Sequence, residues 1–478
     1  MRPIACLLVI GGLALVPPAQ AGAAARPLDT ALVASAPFYG DDGDVAFDRA
    51  RGSGTSAIRL QLSWRDTAPE QAPPPAFDAT NPFDGAYRWG DFDQLVRRAV
   101  AHGLEPFVGI SESPSWAERG SGGRPGTNRP DPVELGRFAE AAARRYSGLF
   151  AGLPRVRTWE VWNEANASFF LYPQVEDGRS VSPGHYRRMV NAFSDAVRRV
   201  HPDNRVVAGG LFPFVIARAG AQSVGPLRFM RELFCLSKRL RPLPGKCGDP
   251  VRLDIWSHHP YTSGGPTHKA GNPDSVSIRE LPRMAEVLRA AVRFKRVIHS
   301  SRVRFWVTEF SWDTNPPDPN GVPLALHARW VSEALYRMWR SGVSLVTWFQ
   351  LRDDADAGRP HSRVFESGLY NRCGAGLDCD TPKPSLQAFR FPFVAFRSAK
   401  KVRIWGRTPP GLGGSVVVEQ QTGRRWRTLA SLRVAGGGIF ARKLKARRRG
   451  ALRARVAGDA SIPFSLVRPP DRTVNPFG

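Results

Sequence analysis

Ile58-Arg59-Leu60-Gln61-Leu62-Ser63-Trp64 alternates apolar and polar side chains with a period of two, the pattern of a strand whose two faces meet different surroundings. Ile58, Leu60 and Leu62 suit a face packed against helices, which leaves Arg59 and Gln61 on the inner face. Downstream, Phe92, Leu95, Val96, Ala99 and Val100 recur at the spacing of one helical stripe. Gly103 follows, and Leu104–Ile110 reads as the next strand. The cycle then repeats, with a helix over Asp131–Tyr146, a strand over Val156–Trp162 and a helix presenting Tyr186, Met189, Val190, Phe193, Val197 and Val200. Further strands read at Arg205–Ala208, Leu253–Ser257, Val303–Thr308 and Val343–Phe349. The helices between them read at Leu227–Leu236, along the stripe Leu281, Met284, Ala285, Leu288 and Val292, and at Leu324–Arg340, with Pro384–Phe391 closing the set. Thr30–Ser35, less regular, supplies the first strand of the series. Eight strands alternating with helices predict an α/β chain folded as a (β/α)₈ TIM barrel.

After Phe396 the pattern changes to short β-prone runs cut by glycine: Val402–Trp405, Ser415–Glu419, Trp426–Leu429, Gly438–Leu444 and Leu452–Val456. They predict a small all-β, sandwich-like domain over residues 399–478, following a barrel over residues 22–398. At the other end, Met1-Arg2-Pro3, the apolar run Ile4–Val16 and Ala19-Gln20-Ala21 have the layout of a secretory signal peptide over residues 1–21. A buried N-terminal helix is the alternative. The run is shorter than the roughly 20 residues needed to cross a bilayer, so no transmembrane segment is expected and the mature protein is expected outside the cell.

Cys6 lies in the signal, leaving Cys235, Cys247, Cys373 and Cys379, an even number in an exported chain. Four cysteines allow three connectivities, and proximity favours Cys235–Cys247 with Cys373–Cys379. Neither spacing is the roughly two- to four-residue gap of zinc ligands. No metal or organic cofactor is expected.

The chain carries 68 Lys and Arg against 42 Asp and Glu, a net charge of +26. An exported chain seldom meets nucleic acid, so none is expected as a partner. Residues 397–478 hold 19 basic side chains against Glu419, Asp459 and Asp471, about +16 of the total. The run Arg442-Lys443-Leu444-Lys445-Ala446-Arg447-Arg448-Arg449 suits an anionic surface or polysaccharide, or is simply a solvated hairpin. If the domain is separable, its removal is expected to cost retention on such surfaces more than chemistry in the barrel.

Catalytic groups of (β/α)₈ barrels sit where strands end at the C-terminal face. Strand four ends Trp159-Glu160-Val161-Trp162-Asn163-Glu164 and strand seven ends Phe305-Trp306-Val307-Thr308-Glu309. The two strands lie nearly across the barrel mouth, so Glu164 and Glu309 can converge on one bound molecule. A pair of carboxylates so placed suits hydrolysis at a sugar's anomeric carbon.

Trp162-Asn163-Glu164-Ala165-Asn166 with Thr308-Glu309-Phe310 resembles clan A glycoside hydrolases, particularly families 39 and 5, over residues 30 to about 395. The resemblance implies a retaining β-glycosidase in which Glu164 is the general acid/base, Glu309 the nucleophile, and Asn163 a hydrogen-bond partner of the sugar 2-hydroxyl. It also implies that Arg59 and the His259-Pro260-Tyr261 pair surround the nucleophile, that Trp348 forms a stacking floor for the carbohydrate substrate, and that Trp116 and Trp312 are further stacking candidates. Family 5 members often carry a histidine after strand three. Here Ser111-Glu112-Ser113-Pro114-Ser115-Trp116 has none, which tilts the likeness toward family 39.

Each residue has a plainer reading too. Arg59 is placed to neutralise Glu160, His258 to be a satisfied neighbour, and the tryptophans to fill core or lid. Glu112 competes with the glutamate pair for a catalytic role. A rival for the whole chain is a non-catalytic glycan-binding or wall-associated protein that keeps the barrel as a scaffold.

Overall fold

The computed structural model describes residues 25–475 apart from 72, 74, 75, 219, 246, 399 and 400. The expected signal peptide, residues 1–21, lies outside the described residues.

Eight parallel strands close into a barrel in chain order: β1 (Asp29–Val33), β2 (Ala57–Ser63), β3 (Glu105–Ser111), β4 (Thr158–Val161), β5 (Arg205–Leu211), β6 (Ile255–His258), β7 (Arg304–Val307) and β8 (Val343–Trp348). Each barrel strand read from the sequence is present, shifted by at most three residues at either end. In β2 the alternation does what it predicted. Ile58, Leu60 and Leu62 join the main core beneath the helices, while Arg59 and Gln61 point into the barrel. The lower interior is a separate apolar plug that includes Phe107, Val207, Ile255, Trp306 and Leu345. Above it the interior turns polar. Gly109 leaves the room that this layer needs, since a Cβ there would lie 1.9 Å from the Gln61 amide oxygen.

The helices are α1 (Gly43–Gly52), α2 (Phe92–Ala101), α3 (Pro132–Arg145), α4 (Ser182–Val200), α5 (Pro226–Leu233), α6 (Leu281–Arg293), α7 (Leu324–Arg340) and α8 (Pro384–Arg390). α3 starts where its residues dictate: the Asp131 carboxylate accepts hydrogen bonds from the Val133 and Glu134 amides, and Pro132 needs no donor partner. α1 was not legible. Its buried face is small, Ala46, Phe47 and Ala50 under a single turn of charge, too short a stripe to stand out. Both expected disulfides are present, Cys235–Cys247 and Cys373–Cys379.

The C-terminal strands form two sheets. One has three strands, β9 (Phe393–Ser398), β10 (Lys401–Arg407) and β13 (Ile439–Leu444). The other has four, β11 (Gly414–Thr422), β12 (Arg425–Val434), β14 (Leu452–Val456) and β15 (Asp459–Ala460). Pairing of β9 with β10 runs across the expected 398/399 boundary. The module is also tied to the barrel. Arg407, 2 % exposed, donates to the Leu28 and Phe389 carbonyls and to Thr30 Oγ1. Trp405 packs against Tyr336 and Trp339 of α7. The final segment reaches the barrel mouth, where the Val474 amide donates to Ser263 O and Arg472 donates to Gly321 O.

These contacts argue against a freely separable domain. Removing residues 399–478 exposes the α7 tryptophan face and orphans the three acceptors of Arg407, so the melting temperature should fall by several degrees. An unchanged melting temperature for the truncated chain would show that the interface contributes nothing.

Candidate active site

At the C-terminal mouth, β4 and β7 end within reach of one guanidinium. Arg59 Nε donates to Glu160 Oε2 at 2.6 Å, Nη1 to Glu309 Oε2 at 2.9 Å and Nη2 to Asn163 Oδ1 at 2.9 Å. It therefore neutralises Glu160 and also holds Glu309. Its own burial works against the charge, but Glu160 and Glu309 outweigh that and keep it protonated. Tyr261 completes the cradle, its hydroxyl donating to Glu309 Oε1 at 2.8 Å.

Glu164 stands on different ground. The backbone turns out of β4 through left-handed conformations at Trp162 (φ 66°) and Glu164 (φ 42°), and the Glu164 amide donates to Gly210 O. Its carboxylate lies 2.9 Å from His259 Nδ1, while His259 Nε2 is 3.2 Å from Thr308 Oγ1. Burial, then the charges of Arg59 and His258, hold the His259 imidazole well below its usual range, so it is neutral and offers Glu164 no charge.

The two glutamates are thus electrostatically unequal. Burial first, and the negative charge of Glu309 second, push Glu164 well above the ordinary carboxyl range; Arg59 offsets only part of this. Burial also raises Glu309, but Arg59 and the Tyr261 hydroxyl act directly on its two oxygens and pull it back. The Glu309 side chain is 22 % exposed against 7 % for Glu164. Both carboxyls are therefore raised, Glu164 the more strongly, and unequal environments of this kind are what separates an acid from a base in a carboxyl pair.

Asn166 fixes the wall behind Glu164. Fully buried, it donates to the Phe212 and Val224 carbonyls and accepts from the Phe212 amide. His258 is a buried neighbour rather than a member of the cradle: burial takes it down to about 4, and its Nε2 faces Val276 O at 2.8 Å, while its Nδ1 has no hydrogen-bond partner among the described residues. Glu112 sits apart on the rim, accepting from Ser63 Oγ at 3.1 Å.

Of the sequence-derived residues, the structure brings together Arg59, Asn163, Glu164, His259, Tyr261 and Glu309. It does not bring the tryptophans to them as open platforms. Trp348 is 1 % exposed, its ring enclosed by Phe310, His327 and Phe389 and its indole N–H donating to Ser367 O. It therefore has no free face on which a sugar could stack. Trp312 is likewise 1 % exposed, and Trp116 is half-buried against Trp64 and Phe77, bonded to Pro69 O. Other partly exposed rings near the mouth are phenylalanines: Phe169 on the loop after β4, and Phe349 against Phe365 after β8. Sequence reasoning missed these, because phenylalanine carries no signal of exposure in itself; Thr308 stood in the strand-seven motif without a role of its own.

Removing the Tyr261 hydroxyl tests the asymmetry. Tyr261→Phe deletes a donor to the Glu309 anion, so the Glu309 pKa rises and the acidic limb of the pH–rate profile should move to higher pH. An acidic limb that stays in place would mean that Tyr261 does not tune Glu309.

No protein-family model and no curated protein sequence matches the chain. Among solved structures, a family 39 glycoside hydrolase from the gut symbiont Bacteroides cellulosilyticus WH2 superposes with a TM-score of 0.55 over 88 % of this chain and 81 % of that one, at 16 % identity. A conserved exported protein from Bacteroides fragilis gives a TM-score of 0.50 over 88 % and 97 %, at 12 % identity. The chain shares with them a (β/α)₈ barrel fold.

Proposed function

We propose that the protein is a secreted retaining β-glycosidase that hydrolyses O-glycosidic bonds of a β-linked glycan or glycoside by double displacement. The observation that carries this reading is the division of partners: Arg59 and Tyr261 both donate to Glu309, whereas Glu164 faces only a neutral histidine among its direct contacts. Glu164 protonates the leaving oxygen. Glu309 attacks the anomeric carbon, and the glycosyl-enzyme ester forms as the C–O bond breaks. Glu164, now ionised, takes a proton from water, whose oxygen displaces Glu309 and restores the starting configuration. Asn163, held by Arg59, is positioned for the sugar 2-hydroxyl.

The fold shared with a family 39 glycoside hydrolase supports the reading by analogy, as do the two disulfides for export. The exposed basic run Arg442–Arg449 is assigned to retention on an anionic surface or polysaccharide. A panel of aryl β-glycosides and β-linked oligosaccharides tests the activity: release of sugar by the parent, lost in the Glu309→Ala variant, supports it. Glycan binding without turnover across that panel would favour the scaffold-only alternative.

A further inference from the structure

Beyond the glutamate pair, two loops at the same end of the barrel bring together side chains that the proposed chemistry does not use. The loop after β7 supplies Asp318, and the loop after β8 supplies His361 and Glu366. One donor atom from each lies within 4.8 Å of the other two, and His361 Nδ1 is already 2.8 Å from Glu366 Oε2.

The charges here are unbalanced. Asp318 is 5 % exposed and Glu366 3 %, and burying a carboxylate without a cation is costly. Yet among the described residues the Asp318 carboxylate accepts only from the Asn320 amide of its own loop and has no ion-pair partner. Glu366 has only His361, an imidazole that is charged only when protonated. The nearby Lys383 Nζ donates to Asp353 Oδ1 at 2.6 Å, Thr314 Oγ1 at 2.7 Å and the backbone carbonyl of Glu366 at 3.1 Å, and hydrogen-bonds neither the Asp318 nor the Glu366 carboxylate. In a chain of net charge +26, a buried carboxylate without a basic partner is not explained by scarcity of arginine. A cavity of about 790 Å³, lined in part by Glu366, Asp353, Asp354 and Asp356, reaches the Glu366 side of the cluster.

We propose that Asp318, His361 and Glu366 bind one divalent cation, which ties the loop after β7 to the loop after β8 and so fixes one wall of the mouth that holds Glu309. One imidazole nitrogen with two carboxylates suits Zn²⁺ or Mn²⁺ better than Ca²⁺, which takes about 6–8 oxygens. Bonds of ~2.0–2.2 Å to zinc place neighbouring donors ~3.4 Å apart. The three donors lie within 4.8 Å of one another, and binding the ion draws them to this spacing, the His361 side chain, 42 % exposed, being the freest to move. Water fills the remaining positions from the cavity. The sequence reading expected no metal because it weighed only cysteine spacing; these ligands lie 43 and 5 residues apart and form no motif.

The test is calorimetric titration of ZnCl₂, and separately MnCl₂, into tag-free full-length protein freed of metal with chelator. The expected result is one ion per chain, with affinity at least ~10-fold weaker in His361→Ala and in Asp318→Asn, and unchanged in His102→Ala, a surface histidine beside other carboxylates. Saturating Zn²⁺ should also raise the parent's melting temperature by a few degrees and leave that of Asp318→Asn unmoved. If Asp318→Asn does not fold, the exposed His361→Ala still decides. No stoichiometric binding of either ion, or affinity indifferent to His361→Ala, would overturn the proposal. The readout is binding, so either result leaves the glycosidase reading untouched.

Discussion

Glu309→Ala should lose turnover by on the order of 10⁴-fold or more on any glycoside the parent cleaves, because it removes the atom that forms the covalent bond. Its fold should survive. Arg59 keeps Glu160 and Asn163, and the Arg59 and Tyr261 donors that are released face a position 22 % open to solvent, where water can take the place of the carboxylate. The variant also relieves Glu164 of a negative neighbour that helps to raise its pKa. Circular dichroism and melting curves matching the parent, together with lost activity, are the expected pair of results. Near-normal turnover would remove Glu309 from the mechanism.

Glu164→Ala should show a loss that depends on the leaving group. An aglycone that departs as a stable phenolate needs little protonation, so its first step should survive, while a sugar leaving group should slow by ~10²–10⁴-fold. The second step loses its base and slows for every substrate. Azide, which needs no base, should rescue it. Equal losses for good and poor leaving groups, with no rescue, would reduce Glu164 to a binding residue. The His259 contact belongs to the same picture: a neutral imidazole at 2.9 Å orients the carboxyl and brings it no positive charge, which leaves burial as the main influence on its proton.

How far these roles were legible in the sequence followed from how each signal is encoded. Strand ends are local, so the Asn163-Glu164 and Thr308-Glu309 termini could be placed before any coordinates, and period-two alternation put Arg59 inside the barrel. What alternation could not say is that one guanidinium reaches β4 and β7 at once. The tryptophans mark the opposite limit. Residue type suggests a stacking platform, but exposure depends on which chains cover the ring, and Trp348 is covered by Phe310, Phe389 and the loop that carries Ser367. β9 was missed for a similar reason: Phe393–Ser398 follows a helix directly and becomes a strand through antiparallel pairing with β10. The Asp318, His361 and Glu366 cluster had no local signal, being assembled by two loops that only the closed barrel brings side by side.

The central claim is that Glu309 carries the glycosyl group and Glu164 releases it. It is tested most directly by intact-mass analysis of Glu164→Ala incubated with an activated aryl β-glycoside. With the second step slowed, the variant should gain the mass of one glycosyl unit, and tryptic digestion should place it on Glu309 within Phe305–Arg329. Added azide should discharge the adduct as the β-glycosyl azide. A label on any other residue, or an α-glycosyl azide formed without an adduct, would contradict the account.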